Sequence, residues 1–272
     1  YVLQTLAGQD GNSPNDKLCR LLFLIAALKD ADAARVTAVL PYLCYARKDR
    51  RTKPRDPITL RYVAQMFEAV GVDRVVVLDV HNDGAFDNAF RCPTDRLEAR
   101  HLFADFLAAA LAETAVSVVS PDAGGEKRAE RFRLTLEERL GRAVGLAFIE
   151  KYRSAGTVRG GTVVGDVAGR VALIVDDLIS TGTTMARGAH ACLDAGAKTV
   201  MAVATHGLFV PPASDALADP AIAEVWITDS VPPCALARAL QETKVTVIGC
   251  APLLAEAIRA LHEGGSILEL VG

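Results

Sequence analysis

Val171-Ala172-Leu173-Ile174-Val175-Asp176-Asp177-Leu178-Ile179-Ser180-Thr181-Gly182-Thr183-Thr184 is the stretch on which the fold class turns. Five aliphatic residues run without a polar interruption, two carboxylates follow, and a Ser/Thr/Gly turn opens a helical pattern over residues 183–195. Unbroken Val/Ile/Leu implies a strand buried on both faces, as in a parallel sheet covered by helices. The same alternation extends in both directions. Strands are expected at residues 35–41, 74–80, 116–120, 145–149, 171–176, 199–205, 224–228 and 245–248. Helices are expected at 15–29, 59–69, 95–112, 126–141, 183–195 and 252–262. Strand–helix alternation along the whole chain predicts α/β architecture with open, mainly parallel sheets.

The same stretch carries ligand chemistry. A turn opening a helix offers bare amides and hydroxyls, a ready site for a phosphate. Gly182 is expected to let the backbone approach that ligand, because a Cβ would obstruct it. Asp176 and Asp177 cannot hold a phosphate but suit vicinal alcohols such as those of a ribose. A plain N-capped turn would also favour Ser and Thr, yet it supplies no reason for two carboxylates beside a buried strand. Arg74-Val-Val-Val-Leu-Asp-Val-His81 echoes Arg170-Val-Ala-Leu-Ile-Val-Asp-Asp177, each a buried strand with polar residues at its end. Ligands of open α/β sheets bind outside such carboxyl ends. The echo suggests two halves of similar plan, with a boundary near Arg91-Cys92-Pro93-Thr94.

Composition narrows the function classes. The chain has 272 residues, 51% apolar and 23% charged, with 30 basic against 33 acidic side chains and a net charge of −3. That balance gives no global attraction for a phosphodiester backbone, so no nucleic-acid partner is expected. The longest apolar run, residues 21–28, falls well short of the roughly 20 residues a membrane helix needs, so no membrane partner is expected either. Six dispersed cysteines fit neither a zinc ribbon nor a disulfide scaffold and point to reduced thiols in the cytoplasm. Phe23, Phe103, Phe209 and Trp226 are expected in the core, and His101, His190 and His262 on helices without a ligand role.

Residues 171–184 resemble the phosphoribosyl diphosphate signature of the phosphoribosyltransferase-like fold, which leaves open transferases that consume this metabolite and the synthetase that makes it. Further motifs resemble the ribose-phosphate pyrophosphokinase family. They are Pro41-Tyr-Leu-Cys-Tyr-Ala-Arg47-Lys48-Asp49-Arg-Arg-Thr-Lys-Pro-Arg-Asp-Pro-Ile-Thr59, Asp79-Val-His81, Ser120-Pro-Asp122-Ala-Gly-Gly125, Glu150-Lys151-Tyr-Arg153, Gly165-Asp-Val-Ala-Gly169 and Ala204-Thr-His-Gly-Leu-Phe209. They follow the family order across nearly the whole chain.

The resemblance implies two phosphoribosyltransferase-type domains: residues 1–97 on the ATP side, with 252–272 packing back on it, and residues 98–251 for ribose 5-phosphate. It implies transfer of the β,γ-diphosphoryl group of ATP to the C1 hydroxyl of ribose 5-phosphate, in an active site expected between the domains. By the same resemblance Lys151 and Arg153 are catalytic, and Arg47, Lys48 and Asp49 bind ATP. Arg153, Asp176, Asp177, Ser180, Thr181, Gly182, Thr183 and Thr184 bind ribose 5-phosphate, while His81 and Asp122 serve a magnesium (Mg2+) cofactor. A homo-oligomer built from dimers, up to a hexamer, is implied as well.

The chain departs from the family at Lys48, where glutamine is usual, at Ser180, where a third acid is common, and at Asn82-Asp-Gly-Ala-Phe86. The family also opens, ahead of the position of Tyr1, with an acidic loop bearing a phenylalanine that helps hold adenine from a neighbouring subunit. Two other readings stand beside this one. A phosphoribosyltransferase would leave the basic stretch 47–59 without a purpose. A silent regulatory subunit is expected to lack the loop lysine or the metal positions, and both are present here.

Overall fold

The computed structural model describes residues 1–9, 11–154 and 157–271, with the side chains of 151–154, 157–160, 269 and 271 outside the description. The chain forms two compact units, Tyr1–Glu98 with Cys250–Gly272, and Ala99–Gly249. Among the described residues no helix is long and apolar enough to cross a membrane.

In the first unit β1 (Val2–Leu3), α1 (Pro14–Asp30), β2 (Thr37–Leu40), α2 (Thr59–Ala69), β3 (Arg74–Leu78), α3 (Asp83–Ala89) and β4 (Thr94–Leu97) follow in turn. The strands form one parallel sheet in the order β1-β2-β3-β4. A capping box starts α1: Ser13 accepts the Asp16 amide, Asp16 accepts the Ser13 amide at 2.8 Å, and Pro14 opens the helix. Its apolar run is longer than one stripe can bury. Leu18, Leu21 and Ile25 reach the core, so Phe23 falls on the opposite side and is 69% exposed, correcting its expected core place.

Residues 94–97 correct the expected helix 95–112. They form β4 against the free edge of β3, with the Arg74–Asp95 ion pair across the two strands, and the helix starts only at Arg100.

The second unit runs α4 (Arg100–Ala110), β5 (Val116–Ser120), α5 (Glu126–Leu140), β6 (Gly145–Ser154), β7 (Thr157–Gly165), β8 (Val171–Ile179), α6 (Thr183–Asp194), β9 (Thr199–Gly207), α7 (Ala213–Leu217), β10 (Glu224–Thr228), α8 (Arg238–Thr243) and β11 (Val245–Ile248). Its seven-stranded sheet has the order β11-β10-β9-β8-β5-β6-β7, parallel except for the β6–β7 pairing. Three strands outrun the sequence expectation: β6 continues to Ser154, β8 to Ile179 and β9 to Gly207. Polar residues in these extensions hide the strand signal, while the ladders (Leu178 opposite His206, Ile179 opposite Gly207) hold them extended.

Phe103 and Phe132 meet with ring centroids 6.5 Å apart. Ile174, Ala202 and Ala204 pack with Met185, Ala189 and Cys192 of α6, and Phe209 joins them. Trp226 is only half-buried, its Nε1 donating to Glu224 at 2.8 Å. The chain then returns to the first unit through α9 (Ala251–His262), which buries Leu254 and Ala257, and α10 (Leu268–Val271) beside β4. The His262 ring stands edge-on to Tyr1, with centroids 6.1 Å apart.

Candidate active site

The strand order of the second unit reverses between β5 and β8. From β5 the chain passes to β6 on one side, then returns to β8 on the other. At such a switch point the loops beyond the two strands diverge and leave a crevice at the carboxyl ends. Asp176 and Asp177 lie in β8 next to this crevice, Asp176 half-buried with a side chain 25% exposed and Asp177 buried at 4%. Arg128, in the first turn of α5 after β5, reaches across. Its Nη1 lies 3.2 Å from Asp176 Oδ1 and 3.3 Å from Asp177 Oδ1. Asp176 Oδ1 also accepts the Asp177 amide at 2.8 Å. Burial and the adjacent Asp177 carboxylate raise Asp176 from 3.8 to about 7, against the pull of Arg128.

Beyond β8 the residues of the expected phosphate turn lie together. Ser180, Thr181 and Thr184 are half-buried, Thr183 is exposed, and the Thr181 and Thr183 hydroxyls are 2.9 Å apart. Gly182 is the N-cap of α6 in the left-handed region (φ 72°), and no side chain caps that helix end, so its first amides point outward without a side-chain acceptor. The glycine also has a reason within the fold. A Cβ there would lie 3.0 Å from Leu217 Cγ and 3.2 Å from Ala216 Cβ, so the glycine serves the positive φ and the seating of α7 against the turn.

On the other side of the crevice, Asp122 caps its own turn. Its Oδ1 accepts the Gly124 amide at 3.0 Å and the Gly125 amide at 3.2 Å, and Ser120 Oγ donates to its carbonyl at 2.6 Å. Lys151 and Arg153 do not lie beyond the strand, as the sequence suggested, but on β6 itself. They pair with Gly161 and Val158 of β7 across a register shift. Their side chains lie outside the described residues. The resemblance implies loop residues at Lys151 and Arg153, ahead of a segment with few apolar anchors; the antiparallel backbone pairing of β6 with β7 forms without such anchors.

In the first unit the segment after β2 carries Arg47 and Lys48, both exposed, and the half-buried Asp49. Asp49 Oδ2 accepts from Asn82 Nδ2 at 2.8 Å, which brings this segment beside His81, an exposed residue past the end of β3. The basic stretch is folded about Asp56. That carboxylate accepts the Thr52 hydroxyl at 2.6 Å and the Lys53 and Thr52 amides at 3.0 and 3.2 Å, and Arg51 Nε donates to its carbonyl. These bonds, the Thr52 hydroxyl foremost, hold Asp56 below its ordinary value. Among the described residues no group of three or more His, Cys, Asp or Glu side chains is gathered to hold a metal ion.

Comparison with known proteins follows the same outline. Residues 1–71 match the N-terminal domain of ribose phosphate pyrophosphokinase, and residues 157–271 match the phosphoribosyl synthetase-associated domain. A ribose-phosphate pyrophosphokinase from Caldanaerobacter subterraneus is 41% identical over 257 residues, covering 94% of this chain and 78% of the relative. One from Aquifex aeolicus is 35% identical over 270 residues, covering 99% and 82%.

The chain belongs to the ribose-phosphate pyrophosphokinase family.

The phosphoribosylpyrophosphate synthetase of Mycobacterium smegmatis superposes with a TM-score of 0.82 at 37% identity, over 92% of this chain and 79% of that one. Membership of the ribose-phosphate pyrophosphokinase family makes this chain an enzyme of the α/β class and accounts for two parallel-sheet units. The geometry of the crevice sets Arg128 apart. Sequence reading passed over this residue, which stands 48 positions from Asp176 in a helix rich in charge. Only the adjacency of β5 and β8 shows what it touches.

Proposed function

We propose that this chain runs the ribose-phosphate pyrophosphokinase reaction on the switch-point crevice of its second unit. The β,γ-diphosphoryl group of ATP passes to the C1 hydroxyl of ribose 5-phosphate, giving 5-phosphoribosyl 1-diphosphate and AMP. One observation carries the reading: an acid pair and an uncapped helix N-terminus follow each other on β8 and α6. Asp176 and Asp177 accept from the ribose hydroxyls. The amides of α6, with the hydroxyls of Ser180, Thr181, Thr183 and Thr184, take the 5-phosphate. The oxygen of the C1 hydroxyl attacks the β-phosphorus, the bond to the α-phosphate oxygen breaks, and AMP departs. Such a transfer rests on positioning and charge stabilisation. We assign the stabilising charge to Lys151 and Arg153, with Arg153 also meeting ribose 5-phosphate, and ATP binding to Arg47, Lys48 and Asp49 in the first unit.

Enzymes of this family need a metal ion. We take it as magnesium, which prefers oxygen and keeps several waters. The donor set fits an ion carried mainly by the phosphates, since Asp122 Oδ1 already serves two amides; His81 and Asp122 would add to its surroundings. When bound, the ion neutralises charge on the transferring group. We further propose a homo-oligomer built from dimers and a cytoplasmic setting, the latter supported by six cysteines, none of them in a disulfide.

Incubation with ATP, magnesium and ribose 5-phosphate, with no nucleobase present, tests the reading. AMP and the sugar diphosphate should appear in equal amounts. Turnover that requires a nucleobase would instead make the protein a phosphoribosyltransferase.

A further inference from the structure

Two neighbouring residues of a strand send their side chains to opposite faces, so an adjacent acid pair is not by itself one binding surface. Here a single nitrogen, Nη1 of Arg128, lies within 3.3 Å of a carboxylate oxygen of each. The guanidinium therefore fixes the separation of the two acids on the side facing the crevice. It is also placed to do so rigidly. Arg128 is only 20% exposed and stands in the first turn of α5, directly after the turn that Asp122 caps beyond β5, the strand paired with β8. Two carboxylates at this burial repel each other and lose hydration, and a buried acid left without a counter-charge is costly. Among the described residues, the cation that the structure places on Asp176 is Arg128.

We propose that Arg128 is a positioning residue for ribose 5-phosphate: it bridges Asp176 and Asp177 and holds both as paired acceptors for the sugar hydroxyls. It acts through the acids and leaves the transferring phosphorus to other groups. The inference rests on the assignment of the acid pair to the ribose.

Steady-state kinetics on Arg128→Met, Arg128→Lys, Asp176→Asn and the double variant Arg128→Met/Asp176→Asn test it, with thermal melts to confirm folding. Arg128→Met should raise KM for ribose 5-phosphate by about ten- to a hundredfold, the range for losing a charge-assisted contact. KM for ATP should stay within about twofold. Arg128→Lys should recover much of the loss, since a point charge replaces the fork. The double variant should be little worse than Asp176→Asn alone, because residues acting through one contact do not add.

Equal rises in both KM values, or full additivity in the double variant, would overturn the proposal. Should Arg128→Met fail to fold, Arg128→Lys and the double variant Arg128→Lys/Asp176→Asn still decide it: a lysine variant no better than Asp176→Asn, or additivity of lysine with Asp176→Asn, counts against it. If Asp176→Asn itself leaves KM for ribose 5-phosphate unchanged, the acid-pair assignment fails. If Asp176→Asn raises it and Arg128→Met does not, the assignment stands and the role given to Arg128 falls.

Discussion

At Asp176 burial and a like-charged neighbour both oppose ionisation, and Arg128 offsets them only in part. The folded value, about 7, lies above the ordinary 3.8, so this group's stabilising contribution is full below about pH 4 and is lost as pH rises through about 7. Asp176→Asn should therefore raise the melting temperature of the ligand-free protein at pH 8. A gain of about 1 kcal/mol would appear as about 2–4 °C. The difference between the two melting curves should shrink towards pH 4, while KM for ribose 5-phosphate rises. An unchanged melting temperature at pH 8 would show that the pair is not strained. At Lys151 the expectation runs the other way. Lys151→Ala should lower turnover by roughly a hundredfold to a thousandfold, the scale of removing one charge-stabilising donor, while calorimetry still detects ribose 5-phosphate. The acid pair could be read from sequence because two carboxylates after five aliphatic residues have no structural purpose. Arg128 could not, because its partners are supplied by strand adjacency.

The elements with a regular apolar signal were legible, and those with few apolar residues were not. β5 and β10 coincide with their expected ranges because buried apolar residues mark them, Val116, Val118 and Val119 in the one and Val225 and Ile227 in the other. β4 and β7 escaped notice, since Thr94-Asp-Arg-Leu97 and the glycine-rich Thr157–Gly165 carry no apolar alternation. The turn that opens α6 was recognisable in composition, but the contact of Gly182 with α7 was not, because α7 lies more than 30 positions downstream. Gly182→Ala should cost about 1–2 kcal/mol, from the left-handed backbone and the contact with Leu217. It should also raise KM for ribose 5-phosphate by tilting the helix amides; a denaturation curve and KM measured together check both. The basic segment makes a separate test. Asp56→Ala removes the acceptor around which residues 51–56 fold. KM for ATP should rise several-fold while KM for ribose 5-phosphate holds, as expected if the Arg47–Asp49 segment belongs to the nucleotide.

Across the whole molecule the thiols divide by depth. Cys19 and Cys234 are exposed, Cys92 is intermediate, and Cys44, Cys192 and Cys250 are buried. Burial pushes the Cys44 and Cys192 thiols up to about 12, which suppresses the reactive thiolate. Brief alkylation of the native protein, read by mass spectrometry, should label Cys19 and Cys234 first and spare Cys44, Cys192 and Cys250 until denaturant is added. Early labelling of Cys44 or Cys192 would contradict the packing described. The fold class was plain from the sequence because strand–helix alternation persists from end to end, whereas the unequal sheets, four strands against seven, rest on segments with little apolar signal. The first unit is split: Tyr1–Glu98 is joined by Cys250–Gly272 only after the entire second unit has been spelled out. On the ribosome, then, the seven-stranded unit has its full complement of strands before α9 emerges, and the earlier-made unit must wait, unfinished, for its closing helix.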